Sequence, residues 1–292
     1  MREKFEYFLA VLVIKISKIC PISFSYKFFK FIAVLLYYTL GSRRKLAIKN
    51  LRLAYTNLTQ KEIENIAKNN FTSLSKTLCE SLLLYNDKKT LDELIINGKE
   101  AIETVNRLCD NGNRPVLFTT AHFGNWEALA HYFGFNGYKL VVVGREGNNL
   151  LIEKNITTPS RTKFGNALAT KDNAMIKMVK FLKKGYHTGI LIDQKPGAIN
   201  SIPSTFFGRE CLTSKAIAQL KLKFNPVIIP IFAIRKDDGR YEIIVKNFDE
   251  SGLNGDSEHD TKFITQQIND IFEEVVRLDP AQWFWMHNRW KM

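Results

Sequence analysis

Cysteine is sparse and unpaired in this chain: Cys20, Cys79, Cys109 and Cys211 are scattered over 292 residues with no C-x-x-C spacing. That excludes a zinc ribbon and a disulfide framework, and it fits a reducing compartment. Glycine and proline do not gather into a linker, and no repeat or low-complexity stretch is visible, so one continuous domain is expected. Long apolar runs are missing too. Phe8 to Ile14 is uninterrupted but then cut off by Lys15 and Lys18, and Phe31 to Leu40 is followed at once by Arg43-Arg44-Lys45. Neither reaches the ~18–20 residues needed to span a bilayer unaided. No small-residue cleavage site follows Arg2 and Lys4, which argues against a cleaved signal peptide. There is no G-x-S-x-G elbow and no H-E-x-x-H pair.

What the chain does carry is positive charge, unevenly placed. The formal net charge is +13, and residues 1–54 hold eleven Lys/Arg against two acidic residues. Apolar content of 45% and charged content of 24% are ordinary for a globular protein. Short apolar segments rich in Phe and Tyr and bordered by Lys/Arg are expected to be helices lying in the headgroup region of a membrane. A single tilted span starting near Phe28 is the variant of that reading. Beyond residue 54, Thr59-x-x-Glu62 is a capping box that opens a helix running to about Leu84, and Gly98 to Cys109 reads as another.

From Pro115 the texture changes to short apolar strands alternating with helical patterns, the signature of a largely parallel sheet. Strands are expected near 115–121, 139–143, 187–192, 227–234 and 241–246, and helices near 126–135, 172–184, 213–223 and 259–277. The fold class is therefore α/β: a mixed, largely parallel central sheet flanked by helices. It follows an N-terminal helical, membrane-associating segment over residues 1–54, with the α/β part over 55–292. Open sheets of this kind bind ligands at the carboxyl ends of their strands. His122 stands where the first strand ends, with Glu127 five residues on in the first turn of a helix. Arg145 ends the second strand and Asp193-Gln194 the third, while Pro159 to Gly165, with Arg161, adds cationic donors in a turn-like setting. One site at the sheet edge accounts for all of them.

His122-Phe123-Gly124-Asn125-Trp126-Glu127 resembles the H-x4-[DE] motif of the lysophospholipid acyltransferase superfamily, in the wording of the bacterial lipid A late acyltransferases. Further matches come in that family's order: Gly144-Arg145, Arg161-x-x-Phe164-Gly165, Asp193-Gln194, Phe206-Phe207-Gly208, Pro230 to Arg235 with Asp238-Gly239-x-Tyr241, and the Trp-rich Pro280 to Lys291. The resemblance covers most of the chain. It implies an enzyme on the cytoplasmic face of the inner membrane, with 1–54 as anchoring helices and 55–292 as the acyltransferase domain. Such an enzyme moves a fatty acyl chain, lauroyl by family default, from acyl carrier protein to a hydroxyl of a Kdo-bearing lipid A precursor. It also implies His122 as general base, Glu127 as its orienting partner, and Arg145, Arg161, Asp193 and Gln194 as substrate-binding groups.

The chemistry of these residue types agrees with that reading. An imidazole oriented by a carboxylate can take a proton from a hydroxyl near neutral pH. Without a serine elbow, transfer is expected to be direct, with the oxyanion held by backbone N–H groups around Gly124 and Asn125 or by a nearby cation. No metal and no other cofactor is expected, because His131 is read as a packing histidine and His287 as structural. The basic charge suits acidic carrier protein and anionic lipid A phosphates. Nucleic acid is not expected as a partner, since no helix-turn-helix, zinc-finger or RRM signature is present. The alternatives are acylation of another glycolipid or lysophospholipid, and a non-catalytic basic membrane-surface protein.

Overall fold

A computed structural model of the chain describes residues 1–144, 147–170 and 174–290. It opens with four helices, α1 (Arg2–Ile19), α2 (Ile22–Thr39), α3 (Gly41–Ala54) and α4 (Gln60–Tyr85). Pro21, which cannot continue a helix from within, separates the first two. One stripe of α2, Ser25, Phe29, Ala33 and Tyr37 at four-residue spacing, is buried, and α2 packs along α4. α4 begins with the expected capping box: the Thr59 hydroxyl accepts the Glu62 N–H and the Glu62 carboxylate accepts the Thr59 N–H. α3 is joined to the rest of the molecule through Ala47, Asn50 and Leu51, all fully buried. No helix among the described residues is long and apolar enough to cross a membrane, so the tilted span near Phe28 is not seen.

Two short elements, α5 (Leu91–Leu94) and α6 (Gly98–Leu108), lead to β1 (Val116–Thr120), α7 (Trp126–Phe135) and β2 (Leu140–Gly144). A brief α8 (Leu150–Ile152) runs through a π-helical turn into α9 (Thr158–Thr162). Then come β3 (Ala167–Thr170), α10 (Ala174–Leu182), β4 (His187–Leu191), β5 (Ser201–Phe206), β6 (Arg209–Ser214), α11 (Ala216–Phe224), β7 (Val227–Arg235), β8 (Tyr241–Val245) and α12 (Ser257–Leu278). The main sheet has the order β3-β2-β4-β1-β7-β8, parallel except for the β7–β8 pair. Helical crossovers between parallel strands cover both faces of such a sheet. Alternate residues feed the two sides. Leu117, Val141, Ile190 and Ile228 join the core under α11 and α12, while Val116, Phe118, Leu140 and Ile229 join the core with α6 and α7.

The five expected strands and the four expected helices of the α/β part are present within a few residues. Three strands were not expected. β3 is a four-residue edge strand, and β5–β6 form a separate hairpin in which Phe206 pairs with Arg209. The two residues between them, Phe207 (φ 52) and Gly208 (φ 65), both lie in the left-handed region, as a type I′ turn demands. Asn or Gly is usual at the first of these positions, and Phe207 conceals the turn. The segment expected to be turn-like is helical through Thr162, Arg161 included, and turns only over residues 163–165.

Candidate active site

The site is a consequence of strand register. β1 lies beside β4, and Thr120 pairs with Leu191. His122 and Asp193 each follow two residues later, so they leave adjacent strands at the same level. His122 Nδ1 is 2.9 Å from Asp193 Oδ1, and the His122 backbone N–H donates to Asp193 Oδ2 at 2.9 Å. The Trp283 indole N–H donates to the same Oδ2 at 2.8 Å. A carboxylate buried to 1% exposure thus has three donors, which offsets the cost of dehydrating it. Burial works to raise the Asp193 pKa, but the His122 charge and these hydrogen bonds outweigh it and hold the group below the usual carboxylate range. With Nδ1 engaged, the imidazole is fixed in orientation and Nε2 is left for substrate.

The turn after His122 is held by chain far away in sequence. Gly124 has φ +57, and a Cβ there would stand 1.7 Å from the Ala233 carbonyl oxygen, so only glycine fits. Its N–H donates to the Gln282 carbonyl at 3.0 Å, and its own carbonyl accepts the Thr77 hydroxyl at 2.9 Å. The Asn125 N–H points to the Ala233 carbonyl at 3.4 Å. These two N–H groups, expected as oxyanion donors, are therefore occupied by backbone carbonyls. Asn125 also caps α7 through its side chain, accepting the Ala128 N–H at 2.9 Å. The C-terminal segment closes over this turn: the Phe284 N–H donates to the His122 carbonyl at 2.9 Å.

Glu127 does not hold the imidazole. Its carboxylate takes the fork of Arg161, with Nη2 at 2.6 Å from Oε1 and Nε at 3.2 Å from both oxygens. The carboxylate within hydrogen-bond distance of the ring is instead that of Asp193, brought in by the neighbouring strand. Burial tends to raise the Glu127 pKa, but the Arg161 charge and hydrogen bonds prevail and hold it below its ordinary value. Arg161 in turn lies against the end of β2, where a Cβ on Gly144 would stand 3.3 Å from its Nη1. Arg145, assigned to the same strand end from the sequence, lies outside the described residues.

These groups open into a cleft of about 1940 Å³ lined by His122, Glu127, Arg161 and Gln194 among others. Apolar wall is supplied by Val142, Met175, Ile176, Met178 and Ile190, and cationic groups by Lys195 and Lys215. His131, one turn beyond Glu127, is buried, and dehydration pushes its pKa below the ordinary value. Among the described residues no group of three or more His, Cys, Asp or Glu side chains is placed to hold a metal ion. The role of Trp283 was not legible in the sequence. Trp283 and Trp285 of the tail are both buried. The available signal was that a buried indole N–H must find an acceptor.

One cleft at the strand ends of an α/β sheet thus holds both an imidazole–carboxylate couple and a carboxylate–guanidinium pair. The profile of the bacterial lipid A biosynthesis acyltransferases matches residues 1–292, and the chain belongs to that family. It is similar to lipid A biosynthesis acyltransferase 2 of Shigella flexneri, at 24% identity over 83% of this chain and 76% of that one. It is also similar to the lipid A biosynthesis lauroyltransferase of Escherichia coli (strain K12), at 24% over 85% of this chain and 79% of the relative. The palmitoleoyltransferase of the same organism stands at 24% over 86% and 80%. Equal identity to relatives named for two different acyl chains does not select between them.

Proposed function

We propose that this chain transfers a fatty acyl group from an acyl carrier protein thioester to a hydroxyl of a Kdo-bearing lipid A precursor. The setting is the cytoplasmic face of the inner membrane. The observation that carries the chemistry is the His122–Asp193 couple at a cleft with an apolar wall. His122 Nε2 takes the proton of the acceptor hydroxyl as the oxygen attacks the thioester carbonyl carbon. Asp193 fixes the ring and stabilises the imidazolium that forms. The tetrahedral intermediate then breaks its carbon–sulfur bond, and the departing thiolate takes the proton back from the imidazolium. An ester and a free thiol result. With the N–H groups of Gly124 and Asn125 already bonded, Arg161, braced by Glu127, is the group we assign to the oxyanion or to an acceptor phosphate. Gln194 lines the same cleft beside Asp193 and is assigned to substrate contact. A lauroyl-length donor is the family default.

Membrane association is peripheral in this reading. Fourteen of the twenty-two large apolar side chains that stand exposed among the described residues belong to residues 1–40. Residues 1–54, which contain that segment, hold eleven Lys/Arg against two acidic residues, as an interfacial anchor requires.

The test is mass spectrometry of lipid A from cells lacking the chain and from cells carrying His122→Ala in its place. One secondary acyl chain should be missing in both, and its mass gives the donor length. Unchanged lipid A together with altered acylation of another glycolipid or lysophospholipid would move the same chemistry to a different acceptor. Unchanged lipids throughout would remove the proposal.

A further inference from the structure

A second concave surface lies apart from the catalytic cleft, where α2, α3 and α4 meet. It is a groove of about 830 Å³ that shares no residue with the cleft. Its wall on α3 is a stripe of one sign: Lys45, Lys49 and Arg52 stand at i, i+4 and i+7, with Arg44 alongside, and Lys68 faces them from α4. Like charges at four-residue spacing destabilise a helix by about 0.2–0.5 kcal/mol per pair, so the stripe needs a reason outside the helix. Glu64 is the one carboxylate in the lining, and none of the five cations has a carboxylate within salt-bridge distance among the described residues.

Arg44 and Lys68 instead rest on aromatic faces, 5.5 Å over the Tyr37 ring and 5.8 Å over the Tyr38 ring. Tyr38 is exposed, and near it stand exposed Leu35 and Leu36 on α2 and Leu40 just past its end. A cationic hollow, a tyrosine pair at its edge and an adjoining apolar stripe match one ligand in that order: phosphate, interfacial glycerol, acyl chain.

We infer that this groove binds the headgroup of an anionic phospholipid, the phosphodiester lying among Lys45, Lys49, Arg52 and Lys68 and the acyl chains along the exposed face of α2. An acidic carrier protein is less suited to it. Its thioester has to reach His122, whereas the groove is separate from that cleft and continues into apolar surface. The inference rests on the membrane-surface reading above, and makes a discrete site of what would otherwise be diffuse attraction.

The experiment is vesicle co-sedimentation of the full chain with phosphatidylcholine alone and with phosphatidylglycerol added. It compares the wild type with K45E/K49E and with a control of equal charge, K183E/K184E, on the turn after α10. All four lysines are exposed and none is in the catalytic site. Stronger binding of the wild type when phosphatidylglycerol is present is expected. At about 1 kcal/mol per cation near an anionic surface, K45E/K49E should lose roughly thirtyfold or more of that gain and the control much less, with binding to phosphatidylcholine unchanged. Equal loss in both variants, or no preference of the wild type for phosphatidylglycerol, overturns the site while leaving the membrane reading intact. Failure of the wild type to bind either vesicle overturns both. Retained phosphatidylglycerol binding by K45E/K49E with loss of carrier-protein affinity makes the groove a protein-docking surface instead.

Discussion

Holding one imidazole nitrogen fixes the tautomer and aims the other, and here the holding group arrives from 71 residues away in the chain. Asp193→Asn keeps the shape but leaves a side chain that cannot stabilise an imidazolium by charge. Turnover should fall on the order of 10²–10⁴-fold with KM little changed, measured as steady-state transfer rates. Retention of wild-type kcat in that variant would leave Asp193 a merely structural group. Trp283→Phe preserves bulk and removes one donor from a buried carboxylate oxygen. It should cost about 1–3 kcal/mol in urea unfolding and lower kcat, because the remaining donors no longer fix the carboxylate from both sides. Loss of stability at unchanged kcat would assign Trp283 to packing alone. Sequence pointed to His122 through its place at a strand end. It pointed to Glu127 as partner because Glu127 is near along the chain and because the resembled motif pairs the two.

Among the elements, β1 and β4 depend on a histidine that must stay neutral. The Val116 N–H donates to His187 Nδ1 at 3.1 Å, so that nitrogen carries a lone pair. Burial lowers the His187 pKa below its ordinary 6.5. The unfolded chain therefore binds the proton first, and stability contributed by this group is complete above about 6.5 and declines as pH falls toward the lowered value. His187→Asn offers a carbonyl oxygen in place of Nδ1 and cannot titrate. Its stability from denaturant midpoints should vary less steeply than wild type as pH is lowered from 6.5. Identical slopes would show that other groups set the acid sensitivity. The strands themselves were readable from apolar runs between turn residues. β3 was not, being four residues long at the sheet edge, and neither was the β5–β6 hairpin, whose turn places Phe207 where Asn or Gly is usual.

At the scale of the whole molecule, the α/β part and the N-terminal helices are sewn together rather than strung in series. Asn50 of α3 donates to the carbonyls of Trp285 and His287, and Asn70 of α4 donates to those of Ala281 and Trp283. The tail that closes over His122 is therefore tied to α3 and α4. The outward side of α2 carries Phe28 and Phe31, the latter 64% exposed. Replacing both by Glu should weaken partition onto phosphatidylcholine vesicles at least about tenfold, since burying one such ring is worth about 1.5–3 kcal/mol. Circular dichroism should be unchanged, as neither ring is part of the core. Undiminished partition would mean that α2 is not the face that meets lipid.

The sequence by itself determined the alternation of strands and helices, the capping box of α4, the basic apolar N-terminus and the histidine at a strand end. Each is written in residues close together in the chain, where periodicity, capping and charge act locally. Only the tertiary structure decided which strands are neighbours, and with that which carboxylate meets His122, which cation meets Glu127, and that an indole near the C-terminus completes the site. The His122–Asp193 pairing arises from the order β4-β1 and the register Thr120–Leu191, and the other two from a helix and a tail segment far off in the chain, none of which local propensity encodes.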